Sequence, residues 1–362
     1  MVKTFEDLIK DVHEKGLCGE CGGCVSFCSA GDIGAIKMSE SGPPVYANKE
    51  NCKECGFCYY VCPQTHVLND LLNDKFEYFP PIGKWGNITS SVTTSEVIAE
   101  KATDGGVVTS ILNYLLDNKL IDGAIVCKRQ GPFNRVPFLA TSKEDLVDAA
   151  GSYYDLSKQV IGLEKYNTFI PTNTKLKDLI NSDLLNIAIV GTPCQIHSIR
   201  KMQQLSIIPA HIVKYTLGLF CNVNFSFNDE DRKKMEEKFN FKFNKLEKMN
   251  IRDDIIINVK GGKLMHLSFS DVDEFIRPAC KACSDFSNVY ADLSFGGLGS
   301  EKNHTTTIIR TKIGAEIYNN ALKNGYIKET HRINSSDVKS KLIKKIIAFS
   351  QQKIERAKKF SK

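Results

Sequence analysis

Eight of the thirteen cysteines in this 362-residue chain fall into two runs that share one spacing. The first is Cys18-Gly-Glu-Cys21-Gly-Gly-Cys24-Val-Ser-Phe-Cys28. The second is Cys52-Lys-Glu-Cys55-Gly-Phe-Cys58-Tyr-Tyr-Val-Cys62, followed by Pro63. C-x2-C-x2-C-x3-C is the spacing that holds cubane [4Fe–4S] clusters. Three thiolates on a tight turn can face three corners of one cube. The fourth, three residues on at a helix start, points to the cube of the other run. The expected ligand sets are therefore crossed, with Cys18, Cys21, Cys24 and Cys62 on one cluster and Cys52, Cys55, Cys58 and Cys28 on the other. Tetrahedral zinc would use two C-x2-C pairs and leave the fourth cysteine of each run without a role. Disulfides are not expected, because the chain shows neither a signal peptide nor an apolar run of ~18 residues. A reducing, anaerobic cytoplasm suits it.

Five cysteines lie beyond these runs. Cys194 and Cys221 each follow a β-rich segment, where α/β folds present ligand sites, and Cys280 and Cys283 form a C-x2-C pair. Spacing alone leaves these four open to a third cluster, a zinc site or buried core thiols. Cys127 sits inside a strand-like run and reads as a small core residue. Two glycine segments could also do chemistry. Thr103-Asp104-Gly105-Gly106 opens a helix and offers backbone N–H groups suited to a pyrophosphate. Phe295-Gly296-Gly297-Leu298-Gly299-Ser300 lets backbone approach a flat ligand. Neither is a GxGxxG fingerprint nor a Walker A loop, so NAD and ATP are not favoured.

The elements that must position these residues divide the chain. Residues 1–85 are expected to form an α+β ferredoxin-like module with two [4Fe–4S] sites. A short helix capped by Thr4 covers it, with Phe5, Leu8, Ile9 and Val12 at helical spacing and Gly16 ending it. Residues 86–330 alternate strand and helix patterns: strands at 123–127, 185–190 and 212–220, a helix from the 190s through Met202, and a hairpin around Gly261-Gly262. This is an α/β domain with antiparallel additions. Residues 331–362 read as a basic helix with Leu342, Ile343, Ile346, Ile347 and Phe349 along one side. Net charge is +6 overall. Residues 1–85 carry 8 Lys+Arg against 12 Asp+Glu, a balance of −4. Residues 331–362 carry 10 against 2, a balance of +8. That tail is expected to pack by its apolar stripe, with docking of an acidic partner as the alternative. No aromatic platform or known module supports nucleic-acid binding. Composition, 42% hydrophobic and 25% charged, suits a soluble globular protein with a real core.

Four segments resemble the coenzyme F420 hydrogenase/dehydrogenase β-subunit family: Thr103-Asp-Gly-Gly-Val-Val, Val190-Gly-Thr-Pro-Cys194-Gln, Arg277-Pro-Ala-Cys280-Lys-Ala-Cys283 and Ala291-Asp-Leu-Ser-Phe-Gly-Gly-Leu-Gly299. The likeness runs over about residues 88–330. With the preceding module, the chain is also similar to the input subunit of the F420H2 dehydrogenase complex and to the amino-terminal half of F420-dependent sulfite reductase. The resemblance implies a flavin-binding α/β domain with one FAD, a deazaflavin site against it, and Cys194, Cys221, Cys280 and Cys283 as ligands of a third [4Fe–4S] cluster. It places FAD on the turn and helix start that hold Thr103, Asp104, Gly105, Gly106, Val107, Thr109 and Ser110, with Gly151, Ser152, Gly296, Gly297 and Gly299 as further candidates. Asp104 must cap the helix or point away from a pyrophosphate.

The implied activity is hydride exchange between F420 and FAD, with single electrons relayed through three clusters to or from a partner redox protein or membrane complex. No acid–base dyad or nucleophile is needed for it. F420 carries a phosphate and a polyglutamyl tail, so cationic side chains should flank an apolar slot. Lys128, Arg129, Arg135 and Arg310 are the candidates. Two other readings compete: a non-catalytic polyferredoxin wiring subunit that has lost its flavin, and an FAD/Fe–S reductase of another organic substrate, as in the similar chlorophyll-cycle reductases.

Overall fold

A computed structural model of the chain describes residues 2–28, 33–39, 42–131, 134–151, 165–167, 169–251, 254–330 and 335–360. In the amino-terminal module, Thr4 caps α1 (Phe5–Leu8), and the Asp7 carboxylate accepts the Thr4 N–H in return. A π turn over Ile9–His13 continues the helix. Phe5, Leu8 and Val12 are buried against Val25, Ile36 and Tyr59. The rest of the module is small: α2 (Gly23–Cys28), a hairpin of β1 (Ile36–Lys37) and β2 (Val45–Tyr46), α3 (Phe57–Tyr60) and α4 (Asn69–Lys75).

The larger unit is built on one sheet. Its elements in order are β3 (Asn87–Thr93), α5 (Glu96–Lys101), α6 (Val107–Asp117), β4 (Gly123–Gly131), β5 (Asn134–Ala140), α7 (Lys143–Asp148) and β6 (Lys165–Asn167). Then come β7 (Ile187–Gly191), α8 (Pro193–Gln204), β8 (Val213–Leu219), β9 (Ser226–Asn228) and α9 (Asp229–Phe239). A meander of β10 (Leu246–Ile251), β11 (Ile255–Val259) and β12 (Lys263–Leu267) turns at Gly261-Gly262, as expected. Last are α10 (Pro278–Ala282), β13 (Leu293–Gly296), β14 (Thr305–Ile309), α11 (Lys312–Lys323), β15 (Ile327–Glu329) and α12 (Ser336–Phe360).

The sheet order is β15-β3-β14-β13-β8-β7-β4-β5. The four central strands β13, β8, β7 and β4 run parallel, and antiparallel strands close both sides. Period-two alternation covers both faces. Ala124, Val126 and Ala188 face α6 and α11, while Ile125, Ile187 and Ile189 face α8. The β4 strand extends to Gly131, beyond the Cys127 that its β-branched run suggests, because β5 pairs with its outer half.

The module docks on α8. A Cβ at Gly23 would fall on Ser198 Oγ, so α2 approaches this helix closely enough to require glycine. Lys201, fully buried, donates from Nζ to the Cys62 carbonyl at 2.7 Å. Arg200 reaches Asp292 at 3.0 Å and lies over the Phe76 ring. Gly23→Ala is expected to cost about 1–3 kcal/mol through overpacking. Adding Ser198→Ala should recover most of that loss, since the hydroxyl is the clashing atom. Thermal unfolding of the two single variants and the double variant checks the coupling. Among the described residues no helix is long and apolar enough to cross a membrane.

Candidate functional site

The fold brings the eight module cysteines into two crossed groups. Burial raises the Cys24 thiol well above its ordinary value, and Cys21, Cys18, Cys62 and then Cys58 add to the rise. Burial likewise pushes Cys62 up to about 12, with Cys21 beside it. Cys18, Cys21, Cys24 and Cys62 share the walls of one small cavity. On the other side, Cys58 is pushed up to about 12 by burial and then by Cys55, Cys28 and Cys52. Cys28 is raised by burial, with Cys52 and Cys55 adding a smaller push. Cys55 is exposed.

The four outer cysteines form a third group, although they come from three separate stretches. Cys194 occupies the first turn of α8, after a Thr192 cap, and Cys221 follows β8. Cys280 lies in α10, and Cys283 follows directly. Burial raises Cys194, and its thiol neighbours are Cys21, Cys283 and Cys221. Cys221 is pushed up to about 12 by burial despite Lys353, with Cys280 and Cys283 beside it. Polar hydrogens reach the sulfurs: Asn224 Nδ2 donates to Cys221 Sγ at 3.3 Å, and Thr192 Oγ1 lies 3.4 Å from Cys194 Sγ.

The donor chemistry fits clusters. Each group holds four thiols, and burial keeps most of them protonated unless a metal takes the proton's place. Among the described residues, no three or more Cys, His, Asp or Glu side chains could hold one metal ion. A cubane sets its ligands around four corners, a wider spacing than one ion demands.

A cleft of about 310 Å³ opens at the carboxyl ends of the parallel strands, where doubly wound folds bind ligands. Thr103, Asp104, Gly106, Val107, Val108 and Thr109 line it at the amino end of the eleven-residue α6, where the helix dipole is positive. Val126, Leu219 and Phe295 supply apolar wall, and Cys221 and Asn224 belong to the same surface. The cleft therefore shares a wall with the third cysteine group. A flat ligand with a pyrophosphate fits these features.

Of the candidate glycines, Gly106, Gly296 and Gly297 line the cleft, and their bare Cα atoms also make room for the protein's own elements. A Cβ at Gly105 would meet Ser91 O at 2.6 Å and Thr305 N at 2.7 Å, and one at Gly106 (φ +70°) would meet Ile98 and Thr93. Both are demanded by packing against the protein's own elements. Gly296 lies under the Phe220 ring, and a Cβ at Gly297 would meet the Asp104 carboxylate at 2.6 Å. Asp104 is thus turned across to the β13–β14 connection. Ser110 points away from the cleft to Thr93 Oγ1 at 2.6 Å. Gly299 packs against Leu342 of α12. Gly151 lines the cleft, whereas Ser152 lies outside the described residues.

Of the four cationic candidates, Arg135 lines the cleft. Lys128 sits over the Phe138 ring, 3.8 Å from Asp148. The Arg129 side chain lies outside the described residues. Arg310 is not in the cleft. Its guanidinium is buried and donates to the carbonyls of Ile82, Lys84 and Ser287 and to Ser294 Oγ, fastening the segment that joins module to sheet. Cys127 also lines the cleft, with Sγ 3.3 Å from Thr172 Oγ1.

Sequence reasoning passed over several residues around the cysteines. Arg277 is buried, 3.1 Å from Glu20 and over the Phe169 ring. It stands in the quoted Arg-Pro-Ala-Cys segment, which was the available signal. Lys201, Lys353 and Arg356 had none, because helical lysines and arginines ordinarily face water.

Two family models match, described as the N-terminal part of the coenzyme F420 hydrogenase/dehydrogenase β subunit over residues 88–163 and its C-terminal part over residues 184–335. The chain belongs to this family. A coenzyme F420 hydrogenase β subunit of Methanococcus voltae is 30% identical over 76% of the chain and 95% of its own length. One component of the F420H2 dehydrogenase of Methanosarcina mazei is 26% identical over 86% of the chain and 84% of its own length. Among solved structures, a chain of the F420-reducing [NiFe] hydrogenase complex from Methanosarcina barkeri is similar, with a TM-score of 0.63 and 28% identity. It matches 76% of this chain and 94% of that one. The F420 hydrogenase/dehydrogenase β-family match thus spans the mixed sheet and the cleft, and α12 lies beyond it.

Proposed function

We propose that this family member is an F420-dependent oxidoreductase subunit that binds FAD in the sheet cleft and three [4Fe–4S] clusters on its twelve grouped cysteines. One observation carries the reading: an unbroken succession of thiols from the cleft to the surface. Cys221 is wall of the cleft. Its group-mate Cys194 neighbours Cys21 of the first module group. Cys24 of that group neighbours Cys58 of the second, where Cys55 is exposed. The relatives named as F420 hydrogenase and F420H2 dehydrogenase subunits supply the substrate class and point to a redox partner in a multi-subunit complex.

FAD, when bound, takes a hydride and releases single electrons, which cubanes accept one at a time. The chain's own residues hold and orient. The α6 amino terminus holds a pyrophosphate by backbone N–H groups. Val126, Leu219 and Phe295 give a flat ring system a dry wall. Lys201 and Arg200 clamp α8, which carries Cys194 two turns, about 10 Å, ahead of the Lys201 that holds the Cys62 carbonyl.

Val108→Glu tests the flavin site. A carboxylate in the first turn suits the helix dipole and leaves the fold intact, but it sets a negative charge where the pyrophosphate must come. Flavin content of the purified chain is expected to fall by tenfold or more with iron content unchanged. Retention of one flavin per chain would move the cofactor out of this cleft.

A further inference from the structure

The carboxyl-terminal helix α12 buries one stripe along its length. Leu342 and Ile346 begin it, as the apolar pattern foretells, packed against Ile82, Phe286 and Leu298. The stripe then continues with Ser350, Lys353 and Ala357. Lys353 is only 2% exposed. Its Nζ donates to the Cys221 carbonyl at 2.6 Å and to the Asp285 carbonyl at 2.8 Å. One turn on, Arg356 donates to the Asn222 carbonyl at 2.8 Å. Both side chains face the Cys221, Cys280 and Cys283 thiols.

An ammonium this buried costs several kcal/mol unless an anion lies against it. Carbonyls satisfy its hydrogens and leave its charge uncompensated. One buried carboxylate lies in reach, that of Asp285, and it is shared between two buried cations, Lys353 and Arg310. Asp273 pairs with Lys281 at 2.7 Å, and Glu20 pairs with Arg277. Positive charge is left over, and four thiolates on a cluster would balance it.

We infer that Lys353 and Arg356 are the counter-charge of the Cys194/Cys221/Cys280/Cys283 centre, and that α12 thereby sets the reduction potential of that centre. The inference rests on the reading that this group holds a [4Fe–4S] cluster. Reduction adds one electron to an already anionic centre, so a fixed cation beside it stabilises the reduced state and raises the potential. The module groups lie away from α12 and act as an internal reference.

The experiment is an EPR-monitored redox titration of the full anaerobically reconstituted chain, with iron counted in every sample. Lys353→Met keeps the length of the side chain and removes its charge, and Arg356→Gln removes the charge with a shorter side chain at a half-buried site. With iron at the wild-type level, either variant is expected to shift the third centre's reduction equilibrium at least tenfold toward the oxidised form, about 59 mV lower for one electron. The module pair should not move. Full iron with all three potentials unchanged in both variants would overturn the inference. If Lys353→Met loses about four iron, Lys353→Arg decides: iron retained with arginine supports a need for charge, and iron lost in both assigns Lys353 to packing and overturns it. A wild-type chain with only about eight iron would defeat the underlying reading instead, and that is seen before any variant is made.

Discussion

Anaerobically reconstituted chain is expected to hold about twelve iron and twelve acid-labile sulfide, with no stoichiometric zinc. Cys194→Ser should lower iron to about eight while the module pair keeps its EPR signals, because the first module group has four thiols without Cys194 and the third has only three. Its near approach to Cys21 adds a second expectation. A spin–spin interaction between the first module cluster and the third should broaden the wild-type spectrum and vanish in this variant. Cys127→Ala should leave iron untouched, since that thiol meets Thr172 in the cleft and belongs to none of the three cysteine groups. Eight iron in wild type, unchanged in Cys194→Ser, would remove the third cluster and sever the path between cleft and module.

The parts of the site legible in the sequence are those whose geometry is local. A C-x2-C-x2-C-x3-C run places three ligands of one cube and one of the other within eleven residues, and the thiols of the structure lie in the same crossed groups. Cys194, Cys221, Cys280 and Cys283 are spread over ninety residues, so their meeting depends on sheet order, which spacing does not encode. Strand patterns located β7 and β8 to within two residues, yet gave no sign that they are neighbours with β13 and β4 in one parallel core.

Charges and glycines are ambiguous in sequence for a related reason. A cation after a strand reads alike whether it faces water or core. Arg310 turned inward to carbonyls, while Arg135 turned to the cleft. Gly105 and Gly106 look like a ligand cradle, but the atoms they make room for are the chain's own. On α12 the apolar stripe was visible only as far as its apolar residues went. A lysine that continues the stripe carries no hydrophobic signal, and its reason for burial lies on α10 and after β8, far away in sequence.

Reduced F420 mixed rapidly and anaerobically with the isolated chain is expected to bleach flavin absorbance first and iron–sulfur absorbance second. The order follows from chemistry, because F420 gives electrons in pairs and clusters take them singly. NADH at equal concentration should bleach neither, since the turn before α6 lacks the GxGxxG fingerprint. Arg135 supplies the residue-level arm of the test. Of the proposed cations whose side chains are described, it is the one on the cleft wall, near Cys127, whose thiol Thr172 and then Arg135 hold down against burial. An anionic tail or phosphate held there makes a charge-assisted contact worth about 1.5–3 kcal/mol. Arg135→Gln should therefore raise the F420 concentration for half-maximal flavin bleaching by about tenfold or more, with the limiting rate at saturation kept. A fall in the limiting rate without a shift in concentration would place Arg135 on the flavin rather than on the substrate. Rapid bleaching by NADH with reduced F420 inert would transfer the cleft to another substrate altogether.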